Sequence, residues 1–446
     1  MIQKNSILEV EFIDLTYAGL GVAKHNGFAI FVEGALPTEK ATVRITKVEK
    51  RFAYGELIAL QTTSDYRVEA VNTVLDSTIP LQHLRYDRQL VFKSKIVKDI
   101  FSKSEIFKDI IVKDTIGAKE PWYYRNKTQV PVRSNQGKME TGVFVKGTHQ
   151  IVPVEDFKIN LPEIDEMVAG VRDILISFHE KPYDEKTHTG NIRHIIVRKG
   201  YHTNEMMCII VTRSKSLFPK SKIIPAIIEQ FPNTVSIVHN INNKRGSHIL
   251  GDTSEVVHGK ASYCEEILGK SFDVAPSSFL QVNTSQAEVL YTKVLELLAL
   301  KGNEVVLDAY CGIGTISLNL AAEAKHVIGI EVMEEAVEIA KMNARKNHID
   351  NISFSCGLVE EVVSNLQFEP DVVVLDPPRK GVDASFIEYL VTLNPQKIVY
   401  ISCNPATLVR DLKTCIESGY TVSEVQPLDM FPQATHVETI VLLQRG

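Results

Sequence analysis

Five short stretches in the last third of this 446-residue chain hold side chains whose types and spacing could do chemistry. In Asp308-Ala309-Tyr310-Cys311-Gly312-Ile313-Gly314-Thr315, two glycines follow an apolar run and would allow a tight turn with close backbone approach to a ligand. No Lys-Ser or Lys-Thr follows, which excludes a phosphate-binding P-loop, and a dinucleotide site would want a third glycine. Gly329-Ile330-Glu331 comes about twenty residues later, where a carboxylate can accept hydrogen bonds from ribose hydroxyls. Two glycines and that acid, without a pyrophosphate loop, suit a mononucleoside such as S-adenosylmethionine. Asp376-Pro377-Pro378-Arg379 would stop a strand and fix a rigid loop. Ser402-Cys403-Asn404-Pro405 puts a thiol just ahead of a helix start, where the helix dipole favours the thiolate. Thr435-His436-Val437-Glu438 precedes the final strand. Each stretch alone also has a bland reading: a plain strand-to-helix turn, a solvated strand-end acid, an inert core cysteine, a surface glutamate.

What gives the stretches weight is the element pattern that carries them. From about residue 285 the runs EVVLDAYC, HVIGIEV, DVVVLDPP and KIVYISC are nearly continuous apolar segments, as strands buried on both faces should be. Helical stretches such as EEAVEIAKMNARKNH and PATLVRDLKTCIESG lie between them. This βαβα rhythm predicts an α/β domain over 276–446, Rossmann-like and doubly wound around a mostly parallel sheet. Ligands of such sheets bind outside the carboxyl ends of the strands, which is where all five stretches fall. The last run, VETIVLLQRG, has no helix after it and is compatible with an antiparallel edge insertion.

The rest of the chain reads differently. Residues 1–60 hold five strand-like runs punctuated by Gly19, Gly21, Gly27, Gly34 and Pro37, the pattern of a small all-β barrel. Residues 61–275 form an α+β middle domain, helical from Leu84 to about Ile111 and strand-rich after 121. Hydrophobic residues make up 44% and charged residues 23%, which excludes wholesale disorder or a disulfide scaffold. No apolar run reaches the roughly 20 residues needed to span a bilayer, and charges within the first residues argue against a signal peptide. Six cysteines without a CxxC pair suit a reducing cytoplasm. The formal net charge of −6 averages a basic segment, 84–149 with 14 Lys/Arg against 7 Asp/Glu, and an acidic one, 301–446 with 11 against 20. The basic segment includes Trp122-Tyr123-Tyr124-Arg125-Asn126-Lys127, a mixture of aromatics and cations of the kind that meets single-stranded RNA. A solvated basic surface would read the same way.

Taken in order, PLQHLRYDRQL, YRNK, SSFLQVN (277–283), DAYCGIG, GIE, LDPPRKG, YISCNP and HVE resemble the bacterial RNA (uracil-5-)-methyltransferases over essentially the full length. The similarity is greatest to the 23S rRNA enzymes of the RumA type. It implies a TRAM-like barrel, an S-adenosylmethionine-dependent class I methyltransferase domain and a structured RNA substrate, with 23S rRNA ahead of tRNA on the grounds of the barrel and the long N-terminal half, since the simpler tRNA enzymes tend to lack the barrel. It assigns Cys403 as the nucleophile that adds to carbon 6 of uracil and Glu438 as the base that removes the carbon-5 proton. It places Gln281, Tyr310, Glu331 and Asp376 around the methyl donor and target, Phe279 against the uracil, and Arg125 at a flipped nucleotide. Many relatives carry four cysteines that bind an iron–sulfur cluster. Here Asp76-Ser77-Thr78-Ile79 and Phe157 stand at those positions, so no cluster and no other metal are expected. Amino-methylation of adenine or glutamine favours an aromatic residue after the paired prolines, where this chain has Arg379. A non-catalytic RNA-binding factor would not need Cys403 and Glu438. A cytoplasmic monomer is expected.

Overall fold

The computed structural model describes residues 2–71, 78–145, 148, 150–215, 220–364 and 369–446. Strands β1 (Ile7–Leu15), β2 (Gly21–His25), β3 (Phe28–Val32), β4 (Lys40–Val48) and β5 (Phe52–Thr62) close into a barrel in the order β1-β2-β3-β5-β4. Alternating residues from every strand fill it, among them Val10, Phe12, Ala23, Ile30, Val32, Val43, Ile45 and Ala53. The parallel pairing of β3 with β5, Ala29 opposite Phe52, removes the free edge that five short strands would otherwise expose.

Helix α1 (Tyr86–Phe101) buries Gln89, Phe92, Lys93, Ile96, Val97 and Phe101, a stripe at helical spacing. It is shorter than the 84–111 helix that the sequence suggests. After Ser102 the chain makes one 3-10 turn at Glu105–Phe107, and Val112 and Ile116 then pair as extended backbone with Val425 and Leu428. The β-branched run Ile110-Ile111-Val112 favours that extended pairing over another helical turn.

The middle of the chain builds β6 (Lys127–Asn135), β7 (Lys138–Phe144), β8 (Ile151–Pro153), α2 (Pro162–Ser177), β9 (Ile192–Lys199), β10 (Met206–Thr212), α3 (Lys220–Gln230), β11 (Thr234–Ile241) and β12 (Thr253–Gly259). The strands form one sheet in the order β12-β11-β10-β9-β6-β7-β8. Val132, Ile195, Val197, Cys208 and Ile210 pack beneath α2 and α3 in a single core, which accounts for the apolar runs in this region. A hairpin of β13 (Tyr263–Ile267) and β14 (Lys270–Val274) leads into α4 (Thr284–Leu298), capped by the Asn283 side chain.

The remaining elements are β15 (Val305–Ala309), α5 (Ser317–Leu320), β16 (His326–Glu331), α6 (Glu334–Lys346), β17 (Ile352–Cys356), α7 (Val359–Val363), β18 (Val372–Leu375), α8 (Ala384–Leu393), β19 (Lys397–Ser402), α9 (Pro405–Glu417), β20 (Tyr420–Leu428) and β21 (Glu438–Arg445). Their sheet runs β17-β16-β15-β18-β19-β21-β20, and the first five strands pair in parallel. The final strand is thus an interior strand, with β20 at the edge, rather than the edge insertion suggested by its lack of a following helix. Its unbroken apolar run Ile440–Leu443, buried throughout, suits an interior place.

Contacts divide the chain into two compact units that do not follow its linear order. One comprises Met1–Pro121, Cys403–Val409 and Glu424–Thr439; the other comprises Trp122–Ser402, Arg410–Ser423 and Ile440–Gly446. No helix among the described residues is long and apolar enough to cross a membrane.

Candidate active site

In the larger unit, the first strand tip is built by backbone geometry that few residues tolerate. Tyr310 follows β15 at φ +69°, with Gly312 at +56° and Gly314 at +86°. The positive φ at Gly314 favours glycine, and a side chain there would also have to displace the end of the Leu318 side chain, whose Cδ1 would lie 2.8 Å away. Glu331, at the tip of β16, closes the turn: its Oε2 accepts from the Gly312 N–H at 3.2 Å and its Oε1 from the Met333 N–H at 3.0 Å. Asp308 lies beneath the turn, fully buried. One of its oxygens accepts a short hydrogen bond from the Ser317 hydroxyl; the other, Oδ1, is buried without a partner. Burial, and then the nearby Asp376 and Glu331, push Asp308 up to about 7. Asp376, at the tip of β18, is likewise raised to about 7 by withdrawal from water.

Tyr291 of α4 joins the two tips. Its hydroxyl lies 3.2 Å from Thr315 Oγ1, and it feels the charges of both Asp376 and Asp308. Among the described residues no cation forms a salt bridge with these three strand-tip carboxylates, two of which have raised pKa values and one of which has an orphaned buried oxygen. S-adenosylmethionine carries two positive charges, a sulfonium and an ammonium, so the residues fit that cofactor. The rigid loop after Asp376 is pinned from α9: Asp411 accepts from the Val382 N–H at 3.0 Å and from the Tyr400 hydroxyl at 2.7 Å. Asp308, Tyr291 and Asp411 were not among the sequence candidates. Asp308 stood inside a quoted motif, but nothing in linear spacing marks the other two.

The segment 277–283 is held by the middle sheet. The Asn126 side chain donates to Gln281 O and to Thr284 Oγ1, both at 2.9 Å, and its N–H donates to Val282 O at 2.8 Å. Buried Arg198 of β9 donates to Pro276 O at 3.0 Å and Ser278 O at 2.8 Å. So held, Gln281 is buried and Phe279 stands 70% exposed. Arg125 precedes Asn126, half-buried, with its backbone bonded to Ile159 and Leu161. The structure therefore brings Arg125, Phe279 and Gln281 together through Asn126, and sets Tyr310, Glu331 and Asp376 at the carboxyl ends of β15, β16 and β18. Cys311 is buried, and its thiol is pushed well up by burial and then by Asp308 and Glu331, which suits a structural role.

Cys403 and Glu438 fall in the smaller unit, with the barrel and α1. Cys403 is half-buried and sits immediately before the turn that starts α9, where Asn404 Oδ1 accepts from the Ala406 N–H at 3.1 Å. Glu438 is buried at the first position of β21. The loop leading to it is clamped to α1. Lys93 forms a fully buried ion pair with Asp429 and donates to Phe431 O at 2.9 Å, and the Tyr86 hydroxyl donates to Asp429 Oδ2 at 2.9 Å. Gln89 donates to Gln433 Oε1 at 2.8 Å and accepts from the Gln433 N–H at 3.0 Å, at a residue held at φ +69°. A barrel turn also reaches this loop, since a Cβ at Gly19 would lie 3.1 Å from Thr435 Cγ2. The PLQHLRYDRQL motif thus supplies positioning groups, a role that sequence reading gave it no reason to hold.

At the cysteine positions of cluster-bearing relatives, Ile79 is buried and the Phe157 N–H is bonded to Asp165 Oδ2 at 2.7 Å. Asp76 and Ser77 lie outside the described residues. Among the described residues no group of three or more His, Cys, Asp or Glu could hold a metal ion.

Residues 266–446 match the family model for tRNA (uracil-5-)-methyltransferases, and residues 3–58 match the TRAM domain. A DNA methylase model matches 100–342, a span that ends before Asp376, Cys403 and Glu438. The chain is 47% identical to an uncharacterized RNA methyltransferase of Enterococcus faecalis, over 100% of this chain and 98% of the relative. A second relative of the same description, from Lactiplantibacillus plantarum, is 45% identical over the same shares. Among solved structures, the tRNA (uracil-54, C5)-methyltransferase of Pyrococcus abyssi, in complex with S-adenosyl-L-homocysteine, superposes with a TM-score of 0.80 at 27% identity, covering 98% of this chain and 100% of that one.

Proposed function

The chain belongs to the (uracil-5-)-methyltransferase family of S-adenosylmethionine-dependent RNA-modifying enzymes, and on that premise we propose that it methylates carbon 5 of a uridine in 23S rRNA through Cys403 and Glu438. The observation that carries the reading is that one compact unit holds both a thiol just before a helix start and a buried carboxylate at the end of a clamped loop. Carbon 5 of uracil is a weak nucleophile. Addition of the Cys403 thiolate to carbon 6 makes an enolate, and its carbon 5 takes the methyl group. S-adenosylmethionine supplies that methyl and leaves as the neutral thioether. Glu438 then accepts the carbon-5 proton, the carbon 5–carbon 6 double bond re-forms, and the thiolate is expelled. Gln281, Tyr310, Glu331 and Asp376 hold the donor. Phe279 meets the uracil, which must leave its stack to expose carbon 6, and Arg125 meets the flipped nucleotide. The barrel (1–60) and the middle domain (61–275) present the RNA to the catalytic domain (276–446). The reaction takes place in the cytoplasm, with the enzyme acting as a monomer and without an iron–sulfur cluster.

RNA bearing 5-fluorouridine at the target tests the chemistry, because fluorine cannot be removed as a proton and the adduct is trapped. The wild type should form a denaturant-stable covalent complex, and Cys403→Ala should form none. An undiminished adduct in the variant would remove Cys403 from its role. The similarity of the motifs to 23S rRNA enzymes supports the rRNA substrate. The Pyrococcus abyssi relative favours a second reading, tRNA. That tRNA enzyme aligns over its whole length with 98% of this chain, so the length of the N-terminal half does not separate the two substrates. Mass-spectrometric mapping of 5-methyluridine in 23S rRNA and tRNA, with and without the gene, decides between them.

A further inference from the structure

Among the described residues, one group of cations in the larger unit has no carboxylate partner. Lys127 of β6 stands directly opposite Arg198 of β9 in an antiparallel pair, so both side chains leave the same face of the sheet. Arg125, two residues before Lys127, adds a third cation close enough for its charge to act on Lys127. Like charges directly opposite each other in a sheet destabilise it, and burial makes the cost larger. Lys127 and Arg125 are half-buried and Arg198 is buried. Among the described residues no acidic side chain forms a salt bridge with any of the three. Arg198 donates from Nη2 to the carbonyls of Pro276 and Ser278 and its side chain bonds Tyr263, while the Arg125 side chain bonds Tyr124. Lys127 is left with nothing to offset it; burial first, and then Arg198 and Arg125, bring it down to about 7.

This uncompensated charge lies beside Phe279. Arg198 holds the carbonyls on either side of Ser277, and Asn126, the residue between Arg125 and Lys127, holds Gln281 and Val282. The acidic strand tips that fit the cationic methyl donor lie on another sheet, at β15, β16 and β18. An anion is what the cluster lacks, and it lies beside the segment where the nucleotide is to be held.

We infer that Lys127, with Arg125 and Arg198 behind it, binds a phosphodiester group of the RNA next to the target uridine. The inference rests on the reading of the chain as an RNA uridine methyltransferase with Phe279 at the base. The carboxylate of the methyl donor shares the anionic chemistry, and the test separates the two. Full-length wild type, Lys127→Met and Lys127→Arg are titrated with a fluorescein-labelled RNA hairpin carrying a loop uridine, at several salt concentrations. S-adenosylhomocysteine is titrated separately by calorimetry, and each protein is melted without ligand.

Lys127→Met should bind the hairpin on the order of threefold to tenfold more weakly, with the slope of log K against log salt reduced by about 0.7–1. Lys127→Arg should retain both. S-adenosylhomocysteine affinity should be unchanged, and the melting temperature of Lys127→Met should rise, because a repelled charge is gone. Unchanged RNA affinity and slope in Lys127→Met overturn the inference, as does a loss confined to S-adenosylhomocysteine. A lower melting temperature together with weaker RNA binding also overturns it, since that is the mark of a packing role. Because binding is read without methylation, RNA binding that depends on Lys127 would survive a failure of the uridine chemistry, and the converse result would leave that chemistry standing.

Discussion

Two carboxylates at the ends of strands, Glu331 and Glu438, are held in place by opposite means. Glu331 is fixed by its own neighbourhood: it accepts from Gly312, 19 residues away, and from Met333, two residues away. The approach to Glu438 is fixed from the far end of the chain, by Gln89–Gln433 at a separation of 344 residues and Lys93–Asp429 at 336. A turn at a strand tip can be specified by local backbone geometry, since glycines and one acid determine it. The loop before Glu438 is instead tied to α1, in the same unit as the barrel, by bonds that span most of the chain. The smaller unit, which carries the barrel, also contains the candidate nucleophile and base.

The largest expected effect falls on the clamped carboxylate itself. Glu438→Gln should still transfer the methyl group but lose turnover by roughly a hundredfold to ten-thousandfold, with methylated RNA accumulating on Cys403. Single-turnover assays on denaturing gels read both quantities, and normal turnover would show that another group takes the proton. Next in size is the clamp. Lys93→Met removes the buried cation that faces the Asp429 carboxylate and should cost about 3–5 kcal/mol of stability, whereas Lys93→Met with Asp429→Leu should recover most of it. Urea unfolding monitors each variant. If the single variant is as stable as wild type, the ion pair does not hold the loop. The turn side of the comparison is probed by Gly314→Ala, which faces both a positive φ and Leu318 at 2.8 Å. It should weaken S-adenosylhomocysteine binding by calorimetry, roughly tenfold or more, while leaving the smaller unit's Lys93–Asp429 clamp untouched.

The smallest effect is a pH dependence. Asp308 is raised to about 7 from an ordinary value near 3.8, so between those limits the folded protein keeps a proton that the unfolded chain has lost. The resulting contribution to stability is full below the unfolded value and is lost as pH rises through 7. The melting temperature of wild type relative to Asp308→Asn should therefore fall between pH 5.5 and about 7.5. A difference that stays constant across that range would show that Asp308 does not titrate there. S-adenosylhomocysteine should move the midpoint to lower pH, because its ammonium group favours the ionised carboxylate.

The strand-tip motifs could be read in the chain because their physics is local. Apolar runs of strand length, a glycine pair and an acid about twenty residues on carry their own geometry, and β15, β16, β18 and β19 fall where those runs lie. The barrel was legible for the same reason. The place of β21 was not, since the order of strands in a sheet depends on which edge is already covered. Nor was the early end of α1, because the pairing of Val112 and Ile116 with Val425 and Leu428 competes with helix only once those partners exist.

By itself the amino-acid sequence determined which residues are candidates to react and which local turns carry them: Cys403 ahead of a helix, Glu438 at the start of a strand, and a glycine turn with an acid about twenty residues on. Tertiary structure alone decided what holds them. Buried groups such as Lys93, Gln89, Arg198 and Asp308 owe their character to neighbours that are distant in sequence or to the loss of water around them. Neither burial nor partnership has a signature in residue type or spacing, because both arise only when separate segments close on one another.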